Sequence, residues 1–586
     1  MSNTVNLISR FKNSIQESVV RLLEQEFELS GIDAAQFKFE TPPDEKMGHI
    51  AFACFPLAKL ARKAPQQIAE ILQEKWETDA FFQKIEATGP YLNFHINPDY
   101  LAKQLVSQCR DNDRYGENDA GLGKTIMVEY SSPNTNKPLH LGHGRNNLIG
   151  MTVANLLEKC AYQVVKANLV NDRGVHICKS MLAYQNWGEG KTPEDRQVRG
   201  DQFVGDFYVL YDQKSKENPD LDEQVQKMLL AWESGEAETV SLWRKMNDWV
   251  LSGFRQTYQR MGTHFDRYYY ESETYTGGKE LIQAALENGV CYQEENGAIA
   301  IDLEDEKLGR KILLRGDGTA VYMTQDINTT VTKFNDYDLD GCLFVVANEQ
   351  DNHFRVLFTV LKKFGYDWAD RCEHASYGMI TLPEGKMKSR EGTVVDLEDL
   401  MNEMQQMALA ELKKREAVNA DRTEAELLEV AEAIGLAAIK FFILKTNAQK
   451  EISFNPKESL SFDGATGPYL QYTHARISSI FRKASTPWDS EYAGDHDWNS
   501  DEINLMIQLA RFPDVIQQCA MDRNPAMLCG FVYELCRLFN KFYYEHSILK
   551  GDTESVIKAR LQLCAAVKAV LKKNLDLLGI VALEKM

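Results

Sequence analysis

The segment Pro133–Arg145 reads Pro-Asn-Thr-Asn-Lys-Pro-Leu-His-Leu-Gly-His-Gly-Arg. It sets two imidazoles, His140 and His143, three residues apart, with the Lys137 ammonium just upstream. Such groups donate hydrogen bonds to phosphate oxygens where negative charge develops. The Leu141-Gly142 pair between them is small enough to let a nucleotide approach the backbone. An H-x-x-H pair is also half of a zinc site, but neither an H-E-x-x-H context nor a neighbouring cysteine accompanies it. A second cluster, Gly385-Lys386-Met387-Lys388-Ser389-Arg390-Glu391-Gly392, places Lys386 243 residues after His143. Alone, a K-x-K-x-R run is a solvated loop; paired with the histidine turn, it could clamp a polyphosphate. Gly121-Leu122-Gly123-Lys124-Thr125 resembles the end of a P-loop, but Asn118 stands where the first glycine belongs and a strand follows.

Chemistry of this kind needs a rigid support. Thr125–Tyr130 reads as a buried strand, followed by the Gly/His-rich turn, a helix from about Arg145 to Cys160 and a second strand at Tyr162–Asn168. This is a βαβ unit, which presents ligands at the carboxyl ends of its strands beside a helix N-terminus. Further strands are expected at Ile299–Leu303, Lys311–Leu314 and Cys342–Ala347, and a polar insertion at about 185–265. Upstream, Val5, Ile8, Phe11, Ile15, Val19 and Leu22 follow helical spacing. Shorter helices are expected at Ala51–Ala64 and Gln66–Trp76, then a strand in Gly89–Ile96. Downstream, helical spacing marks Leu428–Leu444, Leu505–Cys519, Met527–His546 and Ala559–Leu578. The expected fold is therefore α/β and multidomain. A small α+β N-terminal domain (1–115) precedes a Rossmann-like parallel-sheet catalytic domain (116–455) and an all-α C-terminal helical bundle (456–586).

Composition narrows the class. The 586 residues include 44% hydrophobic and 26% charged, as in an ordinary globular protein. The 11 cysteines are never closer than seven residues apart, so no C-x-x-C redox or zinc motif exists. The N-terminal residues lack an apolar signal-peptide region, and no long apolar run could span a membrane. A reducing, cytoplasmic location is expected, with no membrane partner.

The strand, the turn P-x-x-x-K-P-x-H-x-G-H and the helix together resemble the HIGH signature of class I aminoacyl-tRNA synthetases. The loop at Lys386–Arg390 resembles their KMSKS loop, with one departure: Ser389 replaces its second lysine and Lys388 takes the third position. The arginyl branch of the family often lacks that lysine and carries one just before HIGH, where Lys137 stands. Other segments resemble the same branch. They are Val170-Asn171-Asp172-Arg173-Gly174, Asp201–Val209, Arg315–Asp326 (a "DGTxxYxTxD" segment), Phe462–Arg476 and the last residues from Leu577. The resemblance covers essentially the whole length.

It implies ligation of L-arginine to tRNA(Arg) through an arginyl-adenylate, with ATP as the energy source and Mg2+ accompanying the nucleotide. No zinc is expected. It assigns catalysis to Lys137, His140, His143, Lys386 and Lys388, and further ATP contacts to Pro133, Leu141, Gly142, Gly144, Met387, Ser389 and Arg390. Arginine would be held by Asn134, Glu271, Tyr322, Asp326 and Gln350, because a guanidinium calls for carboxylates in a fork. Tyr322 and Asp326 are four apart and would share a helical face. Tyr91 and Asn93 match residues that stack on and read an unpaired tRNA base. The C-terminal bundle would bind the anticodon, and a monomer is expected. Three alternatives remain: the cysteinyl enzyme, which needs thiolate zinc ligands; a nucleotidylyltransferase, which needs no long helical C-terminus; and a non-enzymatic RNA-binding paralogue, which should lack one signature loop.

Taken as a whole, the net charge of −20 opposes a polyanionic partner. It is unevenly spread. Residues 1–115 carry 13 basic against 16 acidic side chains, and residues 441–586 carry 17 of each. The middle of the chain therefore holds −17, and the ends can carry basic tracks for RNA.

Overall fold

The computed structural model describes every residue except 1–5, 78, 276, 384–394, 415–421, 490, 491, 493, 495 and 552. The N-terminal unit begins with helix Leu7–Phe27, whose Phe11, Ile15, Val19 and Leu22 form the buried stripe expected from their spacing. A four-stranded antiparallel sheet follows: β1 (Phe39–Glu40), β2 (Ile50–Ala53), β3 (Phe82–Thr88) and β4 (Tyr91–Ile96), in the order β1-β2-β4-β3. Here one expectation is overturned. The start of the anticipated helix Ala51–Ala64 is the strand β2, fully buried and paired with β4 from Ile50↔Phe94 to Ala53↔Tyr91. Partner pairing and burial on both faces outweigh local helix propensity. A single 3-10 turn, Phe55–Leu57, and a short helix, Ala58–Ala61, remain of it.

The central sheet has five parallel strands: β5 (Thr125–Glu129), β6 (Gln163–Val170), β7 (Arg267–Tyr270), β11 (Gly341–Ala347) and β12 (Cys372–Tyr377), ordered β12-β11-β5-β6-β7. Winding reverses direction at β5, so a crevice opens between the carboxyl ends of β5 and β11. Side chains alternate between two cores. Ile126 and Val128 join a core with helix Leu141–Lys159 and the C-terminal helices, while Met127 joins another beneath helices Tyr322–Asp336 and Asp351–Lys363. Leu343 and Val345 divide from Cys342 and Phe344 in the same way. Each fully buried side chain of this size contributes about 1.5–3 kcal/mol. Gly150 lets helix Leu141–Lys159 approach closely, because a Cβ there would lie 2.3 Å from the Tyr130 ring.

Between β6 and β7 the chain is helical, with long helices at Val175–Trp187, Gly200–Glu217, Asp220–Glu233 and Ala237–Met261. After β7, strands β8 (Tyr292–Gln293), β9 (Ile299–Ile301) and β10 (Lys311–Leu314) form their own antiparallel sheet. Two short strands, β13 (Ile380–Thr381) and β14 (Ile452–Ser453), pair in parallel. The C-terminal part is a helical bundle: Gly467–Lys483, Ser500–Ala510, Phe512–Met521, Pro525–Glu545 and Glu554–Leu577. The helix expected over Leu505–Cys519 is divided at Arg511, because Pro513 sits in the first turn of the second segment. Among the described residues, no helix is long and apolar enough to cross a membrane.

Candidate active site

The chain leaves β5 through Ser131 and Ser132, two non-glycine residues with φ of 79° and 47°. Left-handed backbone of this kind costs of order 1–3 kcal/mol per residue and persists only when its surroundings enforce it. Here Asn146 Oδ1 accepts the Ser131 N–H at 2.5 Å, Asn168 Oδ1 accepts the Ser132 N–H at 3.2 Å, and Ser131 Oγ shares a hydrogen bond with Tyr258 Oη at 2.7 Å. The Pro133 carbonyl accepts from Asn171 N–H at 3.0 Å, and Thr135 N–H donates back to Asn171 O at 3.1 Å. This fixes the turn that carries Asn134 and Lys137.

The helix expected from Arg145 starts earlier, at Leu141, so the two histidines form its cap. His140 is the N-cap and accepts the Gly142 N–H on Nδ1 at 3.1 Å. His143 accepts the His140 N–H on its own Nδ1 at 3.1 Å, closing a capping box. The ring centroids are 3.9 Å apart. Burial, with the nearby Lys137 ammonium adding to it, pushes His140 down to about 4. Burial, His140 and Lys137 together hold His143 well below its usual range. A neutral imidazole whose Nδ1 is an acceptor carries its proton on Nε2. Both rings are therefore fixed as Nε2–H donors, the state suited to phosphate oxygens.

Leu141 and Gly144 are buried, and a Cβ on Gly144 would lie 3.0 Å from Leu397. Lys386, Met387, Lys388, Ser389 and Arg390 lie outside the described residues. Their flanks do not. Leu141 N–H donates to Val395 O at 3.0 Å, and Leu397 N–H to Leu139 O at 2.9 Å. On the other flank, buried Arg145 donates to Met379 O at 2.8 Å, Ala448 O at 2.8 Å and Lys450 O at 2.7 Å. Residues on both sides of the basic loop are thus bonded to the histidine helix or to the turn leading into it.

Beside this turn lies a cavity of about 470 Å³, and Asn134, Glu271, Tyr322, Asp326 and Gln350 all line it. Tyr322 and Asp326 share helix Tyr322–Asp336 and face the cavity with Thr329, Thr330 and Lys333, a stripe at helical spacing. His353 Nε2 pairs with Asp326 Oδ2 at 2.7 Å. Burial raises Glu271 to about 7, opposed by Arg173 and supported by Asp172 and Asp326. Buried Asp172 accepts from Ser272 N–H at 2.9 Å and Ser272 Oγ at 2.6 Å, fixing the residue after Glu271. Two acidic side chains and two amides lining one cavity suit a planar cation bearing an amino-acid backbone.

Sequence reasoning missed the buried Lys333–Glu129 ion pair and the Arg173 cluster. Arg173 stood in the Asn171–Gly174 segment singled out there, which was the only signal for it. Tyr91 and Asn93 lie elsewhere, on β4, two positions apart and so on one face; Leu92, Phe94 and Ile96 point into the core. Tyr91 packs edge-on against exposed Phe55 at 5.7 Å, whereas Asn93 is only 2% exposed.

The C-terminal bundle holds a groove of about 720 Å³, lined by Tyr472, Arg476, Arg482, Lys483, Tyr543 and Lys585 among others. Arg476 stands over the rings of Tyr472, Tyr543 and Tyr544 at 4.8, 4.9 and 5.2 Å. Tyr544 is 73% exposed. Cations interleaved with open aromatic faces suit unpaired bases.

Comparison with known proteins gives the same picture along the chain. The family model "Arginyl tRNA synthetase N terminal domain" matches residues 7–96, "tRNA synthetases class I (R), catalytic domain" matches 105–455, and "DALR anticodon binding domain" matches 470–586. An arginine–tRNA ligase of Treponema denticola is 45% identical over 563 residues, covering 94% of this chain and 95% of its own. One from Porphyromonas gingivalis is 42% identical, covering 94% and 96%. The solved Thermus thermophilus arginyl-tRNA synthetase superposes with a TM-score of 0.81 at 26% identity, covering 98% of this chain and 100% of that one. With a catalytic-domain match over more than half its length and relatives aligned nearly end to end, the chain belongs to the arginyl-tRNA synthetase family of class I.

Proposed function

We propose that this chain is an arginine–tRNA ligase: it joins L-arginine to tRNA(Arg), consuming ATP and releasing AMP and pyrophosphate. The observation that carries the reading is the cavity that gathers Glu271 and Asp326 with Asn134, Tyr322 and Gln350 beside the His140–His143 turn. Glu271 and Asp326 take the guanidinium, and Asn134, Tyr322 and Gln350 complete the arginine site, the two amides holding the amino-acid backbone or the guanidinium. The arginine carboxylate then attacks the α-phosphorus of ATP and pyrophosphate leaves. Charge grows on phosphoryl oxygens, so no protein nucleophile is required and catalysis is positioning plus electrostatics. His140 and His143 donate from Nε2; Lys137, Lys386 and Lys388 supply ammonium charge. Pro133, Leu141, Gly142 and Gly144 shape the nucleotide's bed, with Met387, Ser389 and Arg390 closing it. In the second step the terminal tRNA hydroxyl attacks the arginyl carbonyl and AMP leaves.

The donors at the histidine turn are N–H groups and ammoniums, which suit anionic oxygens and not a cation. Mg2+ would therefore be carried by the triphosphate, whose charge it would neutralise when bound; among the described residues no carboxylate or histidine cluster offers a cage. We assign residues 1–115, with Tyr91 and Asn93, to contact with the body of the tRNA, 116–455 to catalysis, and 456–586, with the Arg476 groove, to the anticodon. The enzyme acts as a monomer in the cytoplasm; the eleven thiols, all free, support a reducing location.

The test is aminoacylation of total tRNA with each amino acid in turn, beside ATP–pyrophosphate exchange with cognate tRNA present. Arginine alone should support both. Exchange with cysteine or glutamate but not arginine would sink the assignment.

A further inference from the structure

Arg173 sits in the turn after β6, and its side chain is only 8% exposed. Its guanidinium stacks on the Tyr275 ring at 4.1 Å and faces Trp232 at 5.3 Å. Nη2 donates to Glu233 Oε1 at 2.6 Å, and Nη1 stands 4.0 Å from Glu271 Oε1. The Gln325 amide bridges the two. Oriented to satisfy both neighbours, its NH2 donates to Glu271 Oε1 at 2.9 Å and its oxygen accepts from Arg173 Nη1 at 3.1 Å. Trp232 and Glu233 end helix Asp220–Glu233 of the insertion. A helix far from β7 in sequence thus holds a cation against the wall that carries Glu271.

We propose that Arg173 is a positioning residue for Glu271, aiming its carboxylate with Gln325 at the cavity, and that the insertion helix sets Arg173 through Glu233 and Trp232. This rests on reading Glu271 as a guanidinium ligand. Arginine affinity then depends on the insertion as well as on the cavity.

The charges around Glu271 fix the sign. Arg173 and Asp172 face it from the turn after β6, and Asp326, itself paired with His353, faces it from helix Tyr322–Asp336. Glu273 lies on its own short helix, and Glu233 accepts from Arg173. Burial and the two aspartates favour the protonated acid; among these groups Arg173 is the cation that opposes them. Without Arg173 the carboxyl titrates at higher pH, and at neutrality a smaller fraction can bind a guanidinium.

The test measures KM for arginine and for ATP as a function of pH in the full-length protein with tRNA present. Arg173→Met should raise the arginine KM on the order of ten-fold near pH 7, leave the ATP KM unchanged, and approach wild type near pH 9. Arg173→Lys should fall between, because it keeps charge but loses the planar stack. Glu233→Gln should move the same way by less, and it carries the test if Arg173→Met does not fold. An unchanged arginine KM and pH profile in the folded variants overturns the proposal, as does a rise equal at both pH values, which marks a merely structural role. Glu271→Gln separates the two readings. If it leaves the arginine KM unchanged, the guanidinium assignment fails; if it raises KM while the Arg173 variants do not, only the positioning role fails.

Discussion

Lys333 Nζ lies 2.5 Å from Glu129 Oε2, with the two side chains 1% and 4% exposed. Glu129 ends the central strand β5, and Lys333 lies on helix Tyr322–Asp336, seven residues beyond Asp326 on the same face. The ammonium also stands 4.5 Å from the Phe344 ring, on β11. Burial works against the charged amine, yet Glu129 outweighs it and raises Lys333 above its usual range. The pair fastens the helix bearing Tyr322 and Asp326 to both strands that border the crevice.

Breaking one side of such a pair leaves a buried charge uncompensated, at a cost of about 3–5 kcal/mol. Lys333→Met and Glu129→Gln should each lower unfolding stability by that order in urea. The double substitution should cost clearly less than the sum of the two. Additive losses in that cycle would show the groups to be uncoupled.

The histidine cap predicts a pH response of definite sign. His140 titrates near 4 in the folded chain against an ordinary value of 6.5. Between those values the unfolded chain binds the extra proton, so stability falls as pH drops from about 6.5 toward 4 and is flat above. His143, held low by the same causes, adds to this. His140→Ala should slow adenylate formation about 10²–10³-fold, and His140→Asn should recover part of it by restoring an N–H donor. A wild-type stability slope between pH 4 and 6.5 in His140→Ala/His143→Ala would contradict the assignment of that slope to these rings.

What could be read from the residues, and what could not, divides by sequence distance. The strand Thr125–Glu129, the turn and the following helix are local patterns, and they were legible to within a few residues. The stripe Tyr322–Asp326 was legible because four residues make a turn. The strand Ile50–Ala53 was misread as helical because its partner, β4, lies some 40 residues on. The capping box is not legible in H-x-x-H, because that spacing points equally to phosphate donors or half a zinc site and does not say which backbone N–H groups the Nδ1 atoms accept. Lys333 finds Glu129 from 204 residues away, and Arg173 finds Glu233 from 60. Such pairings depend on the order in which strands join a sheet, which no local pattern encodes.

The Arg476 groove predicts an effect confined to RNA. Arg476→Ala removes a cation held among three tyrosine rings and bonded to Asn540. The KM for tRNA should rise about ten-fold or more, and the salt dependence of tRNA binding should lose about one unit of slope. The KM values for arginine and ATP should stay at wild type. A variant whose tRNA binding and salt slope are unaltered would remove this groove from the RNA path.

Ser389 stands where the family's second lysine would be, so one ammonium must be supplied from elsewhere if charge on the α-phosphate is to be neutralised. Lys137 lies on the fixed turn, and its charge reaches both caps, since it contributes to holding His140 and His143 neutral. A Cβ on Gly205 would lie 3.5 Å from the Lys137 Cα, so the insertion helix Gly200–Glu217 packs directly on this turn. An ammonium on rigid backbone is pre-organised, and removing it loses stabilisation that water cannot restore in the transition state. Lys137→Ala should therefore slow single-turnover adenylate formation by about 10²-fold or more, and at least as much as Lys388→Ala. Arginine and ATP affinities should change far less than the rate, because the charge it meets develops only as pyrophosphate departs. A wild-type rate in Lys137→Ala would refute the compensation and return the role to the Lys386–Lys388 loop alone.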